Sequence, residues 1–177
     1  NFINNGGNLF VAINRVDGDL NTSMGNEITT GLETWLANKG IIVENQFVID
    51  NSCSNVSVVQ QQGPFRFQTQ VRFPYLPIIT GFADHPISKG LESLVLMFGS
   101  PVTFNGDTTV TATPLAFTSK MSGTATAPLY FNIQRQWTKN DFTRSEIPVA
   151  YAFEGKLGQS LNSRMVVVGD GNFAVNG

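Results

Sequence analysis

The chain has 177 residues, of which 41% are hydrophobic and 14% are charged, and this composition fits one globular domain with its own core. Its 11 basic residues are scattered singly among 13 acidic ones, so it lacks the basic stripe that follows a nucleic-acid backbone, and nucleic acid is not expected as a partner. No apolar run approaches the roughly 20 residues of a membrane-spanning helix. Cys53 is the single cysteine, which excludes an internal disulfide and a zinc site built on several thiolates.

A strand, a helix and two more strands are predicted first along the chain. Apolar residues at 9–13 follow two glycines and predict a strand, and residues 14–25 indicate a polar loop. Apolar side chains then recur at helical spacing, at Ile28, Leu32, Trp35 and Leu36. We therefore predict a helix from an N-cap at Asn26 to Lys39-Gly40, followed by short strands at 41–43 and 47–49. This order predicts a βαβ unit with a right-handed crossover.

The next segments are polar or interrupted by proline. Residues 51–63 are rich in Ser, Asn and Gln without a usable period, which predicts an exposed loop. Pro74 and Pro77 argue against a central strand, so we expect an edge strand or an irregular crossing there. Asp84 as an N-cap and Pro86 near the first helical position predict a short helical turn.

The last third of the chain is rich in predicted strands. Apolar residues alternate with polar ones between 94 and 133, which predicts antiparallel hairpins with Asn105-Gly106-Asp107 as the strongest turn. Residues 148–153 and 165–168 are nearly continuous apolar runs, typical of parallel strands buried on both faces. We therefore predict an α/β fold in which a parallel sheet core is interrupted by a β-rich antiparallel insertion, with residues 1–177 forming a single domain.

Several polar residues are candidates for a ligand site. Asn14, Arg15, Asp50 and Asp170 each follow a predicted parallel strand, and the carboxyl edge of such a sheet is where open α/β folds bind ligands. With Asn172 they predict a small polar pocket. The competing interpretation is that they cap loops and helix ends, because polar residues lead in turns generally.

The glycines at 169 and 171 allow a second interpretation of the same turn. Residues 169–174 match the spacing G-x-G-x-x-A after a strand, which in a dinucleotide-binding fold brings backbone amides to a pyrophosphate. The alternative is a simple strand-to-helix turn in which glycine supplies tight geometry.

Cys53 and His85 are the candidates for catalysis. The alternative function is an amidotransferase-like or hydrolase-like enzyme with Cys53 as nucleophile and His85 as base. Cys53 lies in a polar segment without the flanking glycines of a nucleophile elbow. His85 stands alone, without a second imidazole or paired carboxylates at metal-ligand spacing. We therefore expect neither catalysis nor a bound metal or other cofactor.

Five short segments carry a family resemblance: 5–11, 39–41, 84–87, 148–156 and 164–171. In order and spacing they resemble the auxiliary family of ABC-type transport systems, and within it GldG-like gliding-motility proteins. The resemblance implies a flavodoxin-like, class I amidotransferase-like sheet with no established catalysis.

The same resemblance implies where the domain works and with what. It implies that the chain is a fragment of a longer, membrane-anchored protein, with anchors outside residues 1–177. The domain is then extracytoplasmic, on the periplasmic face of the bacterial inner membrane, beside the ABC permease and ATPase subunits of its own system. Its expected role is non-enzymatic binding of a protein partner or a small ligand.

Overall fold

The computed structural model describes residues 2–62, 64–158 and 161–174. Strands make up 48% of the described residues and helices 7%. The first half contains β1 (Leu9–Ala12), β2 (Val16–Asp19), β3 (Met24–Glu27), α1 (Leu32–Ala37), β4 (Ile41–Val43), β5 (Gln46–Asp50), β6 (Cys53–Gln62), β7 (Phe65–Ile79) and β8 (Gly81–Phe82). The second half contains β9 (Leu94–Val95), β10 (Val102–Phe104), β11 (Val110–Phe117), β12 (Ser122–Thr126), β13 (Leu129–Tyr130), β14 (Pro148–Gly155) and β15 (Ser163–Val168). Two 3-10 helices cover Ile3–Asn5 and Lys139–Asp141.

The predicted parallel core is wrong. The central sheet has the order β1-β15-β14-β11-β8, and among the described strands only β1 and β15 pair in parallel. The strands at 148–153 and 165–168 exist as predicted, but they pair antiparallel. Their connection, residues 156–162, is too short for the crossover of a dozen or more residues that parallel neighbours need. The flavodoxin-like, amidotransferase-like sheet and the α/β class are therefore not observed.

The predicted βαβ unit is also absent from the described residues. β4 pairs antiparallel with β10, Ile41 opposite Phe104, instead of joining β1 through a right-handed crossover. Helix α1 buries Leu36 completely, in a core cluster that includes Ile41 and Met165. The cluster joins α1, the β4–β10 pair and one face of the central sheet.

Helix α1 is shorter than predicted because Gly31, with φ of 87°, occupies the N-cap position. Asn26, the predicted N-cap, lies instead in β3, which pairs with β2 in a hairpin inside the predicted polar loop. The side chain of Glu33 closes the helix start by accepting hydrogen bonds from Thr30 Oγ1 at 2.8 Å and from the Gly31 N–H at 3.1 Å. Only two turns of the predicted amphipathic stretch are therefore helical.

The segment 51–63, predicted as an exposed loop, contains strand β6 (Cys53–Gln62). β6 pairs antiparallel with β7 from Cys53 opposite Pro77 to Gln62 opposite Phe65, and the two form a long hairpin. The register is interrupted between Cys53 and Asn55, and this irregularity accommodates the proline-containing part of β7. Beyond it, β7 pairs with β9 through Ile78 and Ile79.

The other predicted turns form with different partners. Asn105-Gly106-Asp107 joins β10 to β11, but these strands belong to different sheets, so the segment is not a hairpin turn. Residues 84–90 form bends and turns, in which the Lys89 N–H donates to the His85 carbonyl at 2.8 Å, as in the predicted single helical turn. The Ile87 N–H donates to Nδ1 of His85 at 3.2 Å. His85, and not Asp84, thus supplies the capping side chain.

Aromatic rings form a second core beside the central sheet. Phe47 is fully buried and packs edge-to-face against Tyr75, Phe98 and Phe131. Phe73 packs against Tyr75 and Phe131. This aromatic cluster anchors the root of the β6–β7 hairpin to β5 and to the segment around Phe131.

Candidate functional site

The parallel pair β1 and β15 brings three of the five predicted ligand residues together. Ala12 pairs with Val168 at the carboxyl ends of both strands, so the loops that follow them meet at one sheet edge. Oδ1 of Asn14 accepts a hydrogen bond of 2.6 Å from the Gly171 N–H, and Oδ1 of Asp170 accepts one of 2.6 Å from the Asn172 N–H. The three residues are neighbours, and their role in ligand binding stays a prediction.

Asp170 is fully buried at this edge. Its second oxygen, Oδ2, accepts a hydrogen bond of 2.6 Å from the Met97 N–H, so the carboxylate also ties the segment before Gly99 to the loop after β15. Burial raises the pKa of Asp170 above its ordinary value, and the backbone donors at Asn172 and Met97 counteract part of that rise. The buried carboxylate therefore organises the loops that surround the sheet edge.

The glycine turn itself does not offer free amides to a phosphate. The Gly169 N–H donates to the Val149 carbonyl at 2.9 Å, and the N–H groups of Gly171 and Asn172 donate to the side chains of Asn14 and Asp170. A pyrophosphate site needs these donors unpaired. The turn serves local geometry, which is the simpler of the two interpretations of its glycines.

Arg15 and Asp50 lie apart from this cluster. Arg15 forms an ion pair of 3.6 Å with Glu33 of α1 and donates to the Ile28 carbonyl. Asp50 is fully buried, and its carboxylate accepts from the Ser52 N–H at 2.8 Å and from both the N–H and Oγ of Ser119 at 2.6 Å. The predicted five-residue pocket is thus divided among three places, because β5 pairs with β12 and does not enter the central sheet.

Cys53 and His85 contact different sets of residues. Cys53 begins β6, opposite Pro77, and burial raises the pKa of its thiol, while the Arg72 guanidinium partly offsets the rise. His85 lies in the turn after β8, beside Ile87 and Ser88. A cysteine nucleophile acts as the thiolate, and a raised pKa keeps Cys53 protonated at neutral pH.

The structure reveals a cleft that sequence reasoning missed. It has a volume of about 340 Å³ and lies between the turn at His85 and the outer face of β11, β14 and β15. Thr111, Thr113, Glu154 and Arg164 contribute polar groups to its walls. Arg164 donates to Oε1 of Glu154 through Nε at 3.1 Å and through a terminal nitrogen at 2.9 Å. The cross-strand register that places Glu154 opposite Arg164 and Thr111 brings these polar groups together, and the sequence contains no local signal for it.

The polar groups of this cleft suit hydrogen bonding to a small ligand. Nδ1 of His85 accepts from the Ile87 N–H, so in the neutral imidazole Nε2 carries the proton and is a donor. The two threonine hydroxyls both donate and accept. Among the described residues, no group of three His, Cys, Asp or Glu side chains is arranged to hold a metal ion.

A family model described as "ABC-type uncharacterized transport system" matches residues 1–177. The chain belongs to this family of ABC-type transport systems. This membership confirms the family resemblance found in the sequence, at the level of the transport auxiliary family. Neither the curated proteins nor the solved structures include a significant match.

Membership places the chain in a transport-associated family. The family model names no binding residues, so a candidate site has to be identified from the fold. Within the described part of this family member, none of the helices has the length and apolarity needed to cross a membrane. The sheet-edge cluster of Asn14, Asp170 and Asn172 is built around a buried carboxylate, whereas the cleft beside His85 is open to a small ligand.

Proposed function

We propose that this domain is a non-enzymatic auxiliary component of its ABC-type transport system, held on the periplasmic face of the bacterial inner membrane by anchors outside this chain. The observation that carries the proposal is the match of the family model over residues 1–177. The proposed partners are the permease, which the domain contacts, and the ATPase, which it reaches through the permease. A GldG-like role in gliding motility is the finer version of the same proposal, and it rests on the five resembling segments.

The described polar groups support a binding role. The carboxylates of Asp50 and Asp170 are each occupied by backbone donors, and burial raises the pKa of the Cys53 thiol. A catalytic acid, base or nucleophile needs a lone pair or proton that the substrate can reach. The two carboxylates are engaged in holding loops, and the raised pKa of Cys53 disfavours its reactive thiolate.

The cleft beside His85 is the proposed place for a small polar ligand. It combines the His85 imidazole and two threonine hydroxyls with an apolar floor that includes Ala152 and Val166. Concave sites that are largely apolar with a few polar groups are the usual form of ligand pockets. A ligand there would contact three strands of the central sheet.

Affinity purification of the full-length protein from native membranes tests the partner proposal. A tagged copy, expressed at its own locus and extracted in mild detergent, is expected to enrich the permease and the ATPase together. Cys53→Ser is expected to leave both the enrichment and the transport phenotype unchanged. Failure to enrich either subunit, or loss of function in the serine variant alone, contradicts the proposal.

A cleft-filling pair of variants tests the ligand proposal separately. Thr113→Trp fills the cleft beside His85, whereas Thr108→Trp adds the same ring to an exposed turn outside it. We expect loss of the transport phenotype with the first variant only, with subunit enrichment retained in both. Equal behaviour of the two variants contradicts a ligand site in this cleft.

A further inference from the structure

One face of the β6–β7 hairpin carries most of its apolar side chains, interspersed with the polar positions 60, 62 and 69. Side chains alternate between the two faces of a strand, so Phe65, Phe67 and Val71 of β7 share one face. The cross-strand register adds Val58, opposite Thr69, and Val56, opposite Val71, to the same face. We call these five side chains the apolar stripe. The other face carries exposed polar residues such as Arg66, Gln68, Gln70 and Arg72.

Burial of the apolar stripe decreases from the root of the hairpin to its tip. Val56 at the root is 7% exposed and belongs to the aromatic cluster. At the tip, Phe65 is 64% exposed and Phe67 is 50% exposed, with their ring centroids 6.2 Å apart. Two adjacent uncovered phenylalanine rings on a projecting arm are costly in water and mark a contact surface.

A groove lies beside the middle of the same arm. It has a volume of about 750 Å³, and its apolar walls are Val58, Val59, Val71 and Ile133. The charged residue among its lining, Arg135, pairs with Asp141 and lies with its guanidinium 4.2 Å from the Trp137 ring centroid. The positive charge of Arg135 is thus already paired with Asp141, so the groove favours an uncharged occupant.

We propose that two copies of this domain pair through their arms, with Phe65 and Phe67 of each copy filling the groove of the other. Val71 lies four positions after Phe67 along β7, which is about 13 Å at 3.3 Å per residue. Two arms related by a two-fold axis and laid antiparallel, stripe on stripe, therefore bring each tip over the other groove. Such an isologous contact uses the same surface twice, and both the rings and the groove belong to this chain.

The charge distribution favours a second copy over an anionic lipid surface. The apolar stripe contains no ionisable residue, so two stripes meet without repulsion between like charges. A lipid-binding tip places its basic residues beside its apolar ones at the headgroup level, whereas Arg66 and Arg72 lie on the opposite face of the hairpin. Phe65 and Phe67 are 64% and 50% exposed, so each ring has roughly 75–160 Å² left to bury. Four rings supply about a third to a half of the roughly 1,200 Å² at the low end of specific interfaces, and the groove walls and the rest of the apolar stripe supply the remainder.

Photo-crosslinking in cells tests this pairing directly. The full-length protein carries benzoylphenylalanine in place of Phe67, and a second copy with a different tag is co-expressed. We expect a crosslink between the two tags that maps to residues 56–71 or 133–136. The same probe in place of Gln68, the next residue on the opposite face, is expected to give at least tenfold less of this product.

Replacement of the two phenylalanine rings by serine supplies the complementary arm of the experiment. Phe65→Ser with Phe67→Ser is expected to reduce co-precipitation of the two tagged copies at least tenfold, and Gln68→Ser to leave it unchanged. Both changes affect exposed side chains, and circular dichroism of the purified protein verifies the fold. Crosslinking of position 67 only to lipid or to another protein, or unchanged co-precipitation in the double variant, overturns the pairing. Pairing of two copies and enrichment of the permease are measured independently. A negative result for pairing therefore leaves the proposed transport role standing, and the reverse also holds.

Discussion

Asn14 and Gly171 are 157 positions apart in the chain, and Oδ1 of Asn14 accepts a hydrogen bond of 2.6 Å from the Gly171 N–H. This bond joins the loops that leave β1 and β15, the parallel pair of the central sheet. The partly buried N–H of Gly171 has this side chain as its acceptor, so the Asn14 amide acts together with the Asp170 carboxylate to fix the geometry of the sheet edge.

Replacement of that amide is expected to destabilise the domain. Asn14→Ala leaves the Gly171 N–H without its acceptor, and such a loss costs about 1–3 kcal/mol. Urea unfolding followed by circular dichroism measures the change. Asn45→Ala is the matched control, because Asn45 is exposed and donates only to Glu27, and its loss is expected to stay within about 0.5 kcal/mol. Equal losses in the two variants would contradict the structural role of Asn14.

Two glycines with the same backbone conformation are expected to respond differently to alanine. Gly40 has φ of 76°, and a Cβ on it would lie 2.2 Å from the Cα of Gly106, whereas Gly90 has φ of 88° with nothing within 4 Å. The left-handed conformation costs a non-glycine residue about 1–2 kcal/mol, and Gly40→Ala adds a backbone clash to that cost. Thermal unfolding is expected to show a clearly larger decrease in Tm for Gly40→Ala. A similar decrease for Gly90→Ala would show that the approach of Gly106 is unimportant.

The start of α1 gives a pH-dependent prediction. Although burial acts to raise the pKa of Glu33, hydrogen bonds from its own backbone N–H, Thr30 and Gly31 lower it from 4.5 to about 2. A carboxylate whose folded-state pKa is lowered stabilises the fold above its unfolded pKa, and that contribution is lost as the pH falls. The difference in Tm between the natural chain and Glu33→Gln is therefore expected to be largest above pH 4.5 and to shrink toward pH 2.

Thr30→Ala provides the control for this mechanism. It removes the hydroxyl that donates to Glu33 at 2.8 Å, so the pKa of Glu33 is expected to move upward. Side-chain carbon shifts of glutamate, followed by NMR during an acid titration, measure both values. A Glu33 pKa that does not change in Thr30→Ala would assign the lowering to other donors.

The thiol of Cys53 is expected to react slowly. Burial raises the pKa of this thiol, and the positive charge of Arg72 acts in the opposite direction. Alkylation by iodoacetamide at pH 7.5 is expected to be at least several-fold slower than that of an unstructured cysteine peptide. Arg72→Ala is expected to raise the pKa further and slow the reaction again at fixed pH, provided that exposure is unchanged. Rapid alkylation at neutral pH would instead favour the enzyme hypothesis for Cys53 and His85.

Apolar runs in the sequence predicted the positions of several strands well, but they did not predict whether neighbouring strands pair parallel or antiparallel. The strands at 9–12, 41–43, 46–50, 148–155 and 163–168 all lie where apolar residues indicated them. Apolar content reports burial and not the direction of pairing, so it could not separate a parallel core from the observed mixed sheet. The length of the 156–162 connection was the available signal, because it permits only an antiparallel pair.

The β6–β7 hairpin shows a second limit of prediction from sequence, which is that polar composition can hide a strand. Val56 and Val58 alternate with polar residues, which is the strand period, but the surrounding Ser, Asn and Gln residues indicated a loop. The pairing with β7 decides the structure here, since cross-strand contacts override the weak preference of polar residues for turns. The edge strand or irregular crossing predicted from Pro74 and Pro77 is wrong, because β7 runs through both prolines and lies between β6 and β9. The prolines coincide only with an interruption of the ladder between β6 and β7.

The predicted ligand residues come together only at the carboxyl ends of β1 and β15, the two strands that pair in parallel. Asn14, Asp170 and Asn172 come together because β1 and β15 pair in parallel. Arg15 turns toward Glu33, and Asp50 follows a strand that pairs with β12, so neither reaches the same edge. The cleft beside His85 depends on the register of Glu154 with Arg164, which no local pattern contains.

The adjacency of β1 and β15 also constrains how the domain is made. During translation β1 leaves the ribosome early, and its neighbour in the central sheet is synthesised only when most of the chain has emerged. Nascent β1, with the exposed ring of Phe10, must therefore wait without its native hydrogen-bond partner. Completion of the central sheet is a late, long-range step, and a polypeptide cut short before residue 163 cannot accomplish it.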